Sequence, residues 1–355
     1  MTTMTTPARP DKDDAALRPV PWRRMAGVTW RQHRFALAGV AVFLGALTVC
    51  LWLAGLTTHH VYAATIAACQ PTPSIACDEM ITTLIGTNGF LSNGFILQAV
   101  PVLIGAFVGA PVLAREMETG TFRYAWTQGF GRWRWALDKL VTLAVLLAAA
   151  AGAFSVLLSW YYRPYFAPGN QALGVPELTP FSPGVFDLRG VGLAAWTLAA
   201  FAIGALAGML IRRVVPAIVA TLAVYAGLAF ATGGFLREHY LTPLVTTNSL
   251  DVPGSAWVLS QWWTKGGTTL SQFTMRQVFD STFQQVAPVV NNLSQKVQAY
   301  NSVVKYLSQR GYTYWTRYQP ASRFWPFQWI EGGWLLALSV LLIAATVWLV
   351  HRRAA

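Results

Sequence analysis

The chain has 355 residues, of which 54% are apolar, 13% aromatic and only 11% charged, with a mean hydropathy of +0.42. A soluble domain carries about 25% charged residues, so this chain cannot wet a globular surface and belongs in a membrane. The formal charge of +12 would point to nucleic acid in a soluble protein; here it reports topology and no nucleic-acid partner is expected, while three cysteines exclude a disulfide-dense secreted scaffold.

Residues 1–21, rich in Thr, Pro and Asp, read as a disordered tail. In residues 22–34, Arg23, Arg24, Arg31 and Arg34 alternate with Trp22, Met25, Val28 and Trp30. That pattern fits a helix lying in the membrane interface, and equally a plain topology anchor. Residues 35–56 are uncharged and, at ~1.5 Å per residue, cross a hydrocarbon core of ~30 Å. Tyr62-Ala63-Ala64 and Ile66-Ala67-Ala68-Cys69 resemble cleavage sites, but they follow a full-length span, so the first helix is expected to stay in the mature protein. Cys69 and Cys77 flank a loop containing Pro71 and Pro73, and a disulfide between them is expected on the oxidising side. A zinc site using His59, His60 and the same thiolates is the alternative.

Residues 91–113 and 140–161 satisfy the same spanning test. The stretch 191–235 is too long for one crossing, and Arg212 with Arg213 at its middle would each cost ~2.5 to 3.5 kcal/mol inside the bilayer. The chain must turn there, and Pro216 suits the first turn of the helix that follows. Residues 334–350 close the set. The expected fold is therefore an all-α polytopic membrane protein with six transmembrane helices, an N-terminal interfacial helix and a helical extracellular module between helices five and six. Its regions are the tail and interfacial helix (1–34), helices one to five with a cytoplasmic loop at 114–139 (35–235), the module (236–331) and the last helix with the C-terminus (332–355).

Orientation follows from the basic residues. Arg9, Lys12, Arg18 and the interfacial arginines, Arg115, Arg123, Arg132, Arg134 and Lys139, Arg212 and Arg213, and Arg352 and Arg353 all fall on one side. The short connections opposite hold Arg163 and Arg189 alone, so both termini are expected in the cytoplasm.

The second connection carries Arg115-Glu116-Met117-Glu118-Thr119-Gly120-Thr121 and then Arg132 to Leu140. Gly120 can close the helix leaving the membrane, and Gly129 with Gly131 can open the returning one. Between them Phe122, Ala125 and Trp126 recur at i, i+3 and i+4, the mark of a short amphipathic helix that a partner could push. With this motif the sequence resembles the ABC-2 type permease family, the membrane subunits of ATP-binding-cassette exporters. The stretch from Tyr318 to Glu331 looks like what actinobacterial members carry before their last span, which implies a bacterial plasma membrane. The resemblance implies a coupling helix docking on a separate ATPase through Glu116, Glu118, Gly120, Thr121 and Arg123. It further implies a second permease copy, ATP and Mg held by the partner rather than by this chain, and a cavity between helices two and five lined by Asn93, Gln98 and Tyr225. Glu116 and Glu118 simply balancing nearby arginines is the plainer reading. No G-x-x-x-x-G-K-[ST] phosphate cradle occurs in the sequence, in keeping with a motor on another polypeptide.

In the module, Phe279, Phe283, Val286, Val290, Leu293, Val297, Tyr300, Val304 and Leu307 follow steps of four and three, like a coiled-coil seam. Pro288 divides it into expected helices at 273–287 and 289–310, with Gly311 ending the second. The seam would pack on a twin copy, cap an exit path, or pack on its own loop. Trp315, Tyr318, Phe324, Trp325, Phe327, Trp329 and Trp334 read as interfacial anchors.

The favoured function is the permease of an ATP-driven exporter moving a hydrophobic or amphipathic drug, lipid or peptide outward. A proton-driven transporter needs ionisable residues inside the membrane, and none of the six apolar stretches contains one. A membrane enzyme finds no metal or nucleophile motif among the five histidines. A sensor or immunity subunit binding a peptide through its module is the alternative to export.

Overall fold

A computed structural model describes residues 21–69, 94, 96–120, 132–166, 179–247, 252–253, 255–286 and 293–353. Among these, six helices are long and apolar enough to cross a membrane: α1 (Trp22–Ala68), α2 (Ala99–Thr119), α3 (Arg132–Tyr161), α4 (Gly192–Ile211), α5 (Val214–His239) and, after the module, α8 (Phe324–Arg353). The chain is a polytopic membrane protein. With six crossings, α1 begins and α8 ends on one side, the terminal side, and the module lies on the other.

The structure departs from the sequence expectation at the helix ends. Trp22–Arg34 is helical, but no break separates it from the first span: α1 runs 47 residues, about 70 Å. The second helix starts at Ala99 rather than residue 91 and carries the charged motif as helix up to Thr119. Spans five and six extend to His239 and back to Phe324. Consequently the apolar midsections are free of charge, as expected, but the helices do contain His33, Glu116, Asp138, Lys139, Arg237 and Glu331 near their ends. The tight turn falls where predicted, with Arg212 left-handed at φ 60° and Pro216 in the first turn of α5.

The core of the bundle is the contact of α2 with α4. A Cβ on Gly105 would sit 2.5 Å from the Ala200 carbonyl oxygen, and one on Gly109 would sit 2.7 Å from that of Phe201. Reciprocally, a Cβ on Gly204 would lie 2.4 Å from the Gly105 oxygen, and one on Gly208 would lie 2.4 Å from that of Ala110. Two small-xxx-small motifs interlock backbone on backbone, the form of packing that replaces the hydrophobic effect between helices in lipid. Between Gly105 and Gly109 α2 widens into a π-turn just before Pro111, whose ring has no room behind it in a regular helix.

The module is not wholly helical. Besides α6 (Gln272–Val286) and α7 (Leu293–Gln309) it holds β1 (Leu244–Thr246), β2 (Trp257–Lys265), β3 (Thr268–Thr269) and β4 (Tyr312–Gln319). They form one antiparallel sheet in the order β1-β4-β2-β3. Gly266 and Gly267, at φ 56° and 83°, make the two-residue hairpin that L-residues resist. Pro288 lies outside the described residues, while Gly311 takes φ 79° after α7 as anticipated. The helical seam packs on the sheet: Phe279, Phe283, Val303 and Leu307 bury against Trp263 and Tyr314. That is the own-loop alternative. Trp315 and Tyr318 are strand residues, and Trp315 stacks on Trp262 with centroids 6.2 Å apart.

Candidate functional site

The charged motif at the end of α2 forms an elbow braced against α3 and α5. Gly120 closes α2 at φ 71°, a conformation only glycine takes freely. Glu116 faces inward, where Lys139 of α3 donates from Nζ to its Oε1. Lys139 is 1% exposed, and its ammonium also lies 4.8 Å over the Trp135 ring. Beside it, Thr29 of α1 donates to Asp138 at 3.0 Å. Glu118 reaches α5, accepting from the Val214 backbone N–H at 3.2 Å. A carboxylate at a helix N-terminus meets unpaired N–H groups and the positive end of the dipole, so this contact is favourable as well as exposed. Thr121, Arg123 and the short helix expected at 122–128 lie outside the described residues.

At the module end of the bundle a second polar cluster is closed. Arg237 of α5 donates through Nε and Nη2 to both oxygens of Glu331 on α8, at 3.0 and 2.8 Å, and through Nη2 to Asp187 in the α3–α4 connection. Its guanidinium also stacks 4.2 Å from Phe186. Glu331 further accepts from Trp196 Nε1 at 3.0 Å and from the Tyr240 hydroxyl at 3.2 Å, and Trp334 donates to that hydroxyl at 3.0 Å. Gln328 spans the same layer, accepting from Gly192 N–H at 2.9 Å and donating to the Phe186 carbonyl at 2.8 Å. Burial pushes the Asp187 carboxyl up, to about 7; Arg237 opposes the rise and the Glu331 charge adds to it. Burial also raises the Tyr240 hydroxyl.

Of the residues expected to line a path, Gln98 and Tyr225 lie among the described residues. Gln98 donates to the Pro183 carbonyl and to Asp187, so it belongs to the closed cluster. Tyr225 is buried edge-on against Trp196, with centroids 5.4 Å apart. Asn93 and Cys77 lie outside the described residues; Cys69 caps the end of α1. Sequence reasoning missed Asp187, Arg237 and Glu331 altogether. Asp187 and Glu331 each stand beside apolar neighbours, and Arg237 opens the run Arg237-Glu238-His239 at the end of an apolar stretch, a context in which a buried charge must find an ion partner.

A model of the ABC-2 membrane transporter related family matches residues 41–237. The chain belongs to that family. The match runs from α1 to Arg237 and stops before the module. As a member of the ABC-2 membrane transporter related family the chain is a permease component of an ABC transporter, which works with a separate ATP-binding subunit. No curated protein and no solved structure matches the chain.

Proposed function

We propose that this permease is the membrane half of an exporter, that its terminal side is cytoplasmic, and that the elbow after α2 takes the stroke of the ATP-binding subunit. The partner holds ATP and Mg, and Thr121 and Arg123 complete the docking surface begun by Glu116, Glu118 and Gly120. The observation that carries the reading is that α2, which ends in the elbow, is tied to three spans: to α3 through Glu116–Lys139, to α5 through Glu118–Val214, and to α4 through the glycine interlock. A push on such an elbow moves all of them. Two copies, each supplying six spans, enclose a path for a hydrophobic or amphipathic small molecule or peptide. Asn93, Gln98 and Tyr225 stand at its module end, where the Arg237 cluster must loosen for release. Cys69 and Cys77 form a disulfide on the outer face.

The test is purification in mild detergent followed by reconstitution. The chain alone should hydrolyse no ATP, should recover a nucleotide-binding subunit, and should transport only in its presence. Transport with no nucleotide hydrolase would end this reading. Intact mass after alkylation should show Cys69 and Cys77 protected; two labelled thiols there would remove the bridge.

One feature favours the sensor alternative. The module holds a cavity of about 610 Å³ between α6 and the sheet, walled by Trp262, Trp263, Phe279, Tyr300 and Tyr314, with Arg276 and Asp280 on its lining. Its size suits a ligand. Peptide-dependent ATPase activity without flux would identify a sensor; flux of the same peptide would identify an exporter.

A further inference from the structure

We propose that the cluster of Asp187, Arg237 and Glu331 is a site for one exchangeable proton, held between the two carboxyls while the module end is closed and released to the module side when it opens. Arg237 brings one positive charge to two acids, and its Nη2 donates to both Asp187 Oδ1 and Glu331 Oε1, so the two carboxyls meet at one nitrogen. They are also in hydrogen-bond contact with each other. An ionised carboxylate has no hydrogen to donate, so that contact needs a proton on one of the pair. With the proton the cluster is neutral; without it a net negative charge stays buried. Among the described residues no second cation offsets it. Arg189, on the same connection, is turned to the rings of Phe166 and Phe324 at 4.3 and 5.2 Å, and the Glu238 carboxylate lies 3.7 Å from the exposed His239. The other neighbours are the uncharged amide of Gln98 on α2 and the phenols Tyr225 of α5 and Tyr240 beyond its end.

The donors decide which carboxyl carries the proton. Glu331 accepts from Arg237 Nε and Nη2, from Trp196 Nε1 and from the Tyr240 hydroxyl, a set that suits a carboxylate. Asp187 accepts only from Arg237 and, at 3.3 Å, from Gln98. Its side chain is 21% exposed against 1% for Glu331, so water on the module side reaches it first. Burial lifts the Asp187 carboxyl to about 7, against the pull of Arg237 and with the Glu331 charge adding to the rise. When the end opens, Asp187 leaves Glu331 and meets water. Its affinity for the proton then returns toward that of a free carboxyl, with a pKa of ~4; the O–H bond breaks, the proton passes to water and a carboxylate remains. Acid on the module side therefore holds this end shut, and raising the pH toward 7 frees it. Neither the ATP-binding subunit nor the direction of transport enters.

The experiment is hydrogen–deuterium exchange of the full chain in lipid nanodiscs from pH 5 to 8, read by mass spectrometry with the intrinsic chemical rate divided out at each pH. The reporter is the peptide carrying the Gly192 amide, which Gln328 Oε1 holds at 2.9 Å in the same layer. Its protection should fall about tenfold per pH unit between 5 and 7 and level off above, the slope of one proton released per opening. The peptide carrying Gly204 and Gly208, in the α2–α4 interlock, should keep its protection. Asp187→Asn cannot ionise and should remove the slope. Glu331→Gln leaves one cation with one carboxylate and should remove it as well. In the infrared, the unaltered chain should show the carbonyl band of a protonated carboxyl at pH 6 that is absent at pH 8 and absent from both variants. A reporter whose protection does not change with pH, an equal fall at the Gly204 peptide, or a slope or band that survives in either variant would each overturn the proposal.

Discussion

The two ends of the bundle handle buried charge differently. At the module end, Arg237 satisfies Glu331 on both oxygens and Asp187 as well, and indole and phenol donors take up remaining acceptor capacity. At the terminal end, among the described residues, one ion pair joins Glu116 to Lys139, Thr29 donates to Asp138, one Glu116 oxygen is buried without a hydrogen-bond partner, and a cavity of about 920 Å³ opens nearby. A saturated network fixes one arrangement of its helices, because any displacement strands several polar groups at once. A sparse one allows its helices to shift at the cost of one or two contacts. The contrast makes the module end the closed end and the terminal end the one that can move.

Arg237→Met is the strongest way to break this contrast. It leaves Asp187 and Glu331 facing each other without a cation, and should cost about 3–5 kcal/mol, read as a large fall in Tm of the purified chain. A fall no greater than that of a surface substitution would mean that the cluster locks nothing. Lys139→Met should cost less, about 1–3 kcal/mol, since Glu116 keeps some access to water. Adding Glu116→Gln should recover most of that loss, and a double-mutant cycle in Tm measures the coupling.

Acidity sharpens the same comparison. Asp187 in the folded chain titrates near 7, above the ~4 of an unfolded carboxyl, so between these values the folded state holds a proton that the unfolded state has released. Stability contributed by this group is therefore present at low pH and is lost as pH rises through about 7. Tm measured from pH 4 to 8 should decline across the window, and Asp187→Asn should flatten the decline. The smallest effect belongs to Glu118→Ala, which removes one exposed hydrogen bond at the α5 N-terminus. It should shift stability by only about 0.5–1 kcal/mol. If Glu118 carries the stroke, ATP-driven transport should fall well beyond that share.

Much of this was legible in the sequence. The spans announce themselves by uninterrupted apolar length, the α4–α5 turn by Arg212, Arg213 and Pro216, and the elbow by Gly120. The helix ends were not, because Glu331 and the run Arg237-Glu238-His239 read as the limits of the membrane, whereas here Arg237 and Glu331 stay in their helices by pairing. That pairing joins residues 94 positions apart, and no local pattern records it. The period of the seam through Phe279 and Leu307 is plain in the sequence, yet period does not name the surface it packs on. Gly266-Gly267 between strand-forming residues was the available sign of the sheet, hidden behind the more conspicuous heptads. Asp187, Arg237 and Glu331 were out of reach as a group because each sits on a different segment.

The mutual seating of Gly105, Gly109, Gly204 and Gly208 has a mechanical corollary. Where two main chains touch with no side chains between them, there is no compressible layer to absorb displacement. The pair behaves as a single spar without backlash. Whatever deflects the tip of one must carry the other with it, and the neighbouring helices become the bearings in which that spar swings.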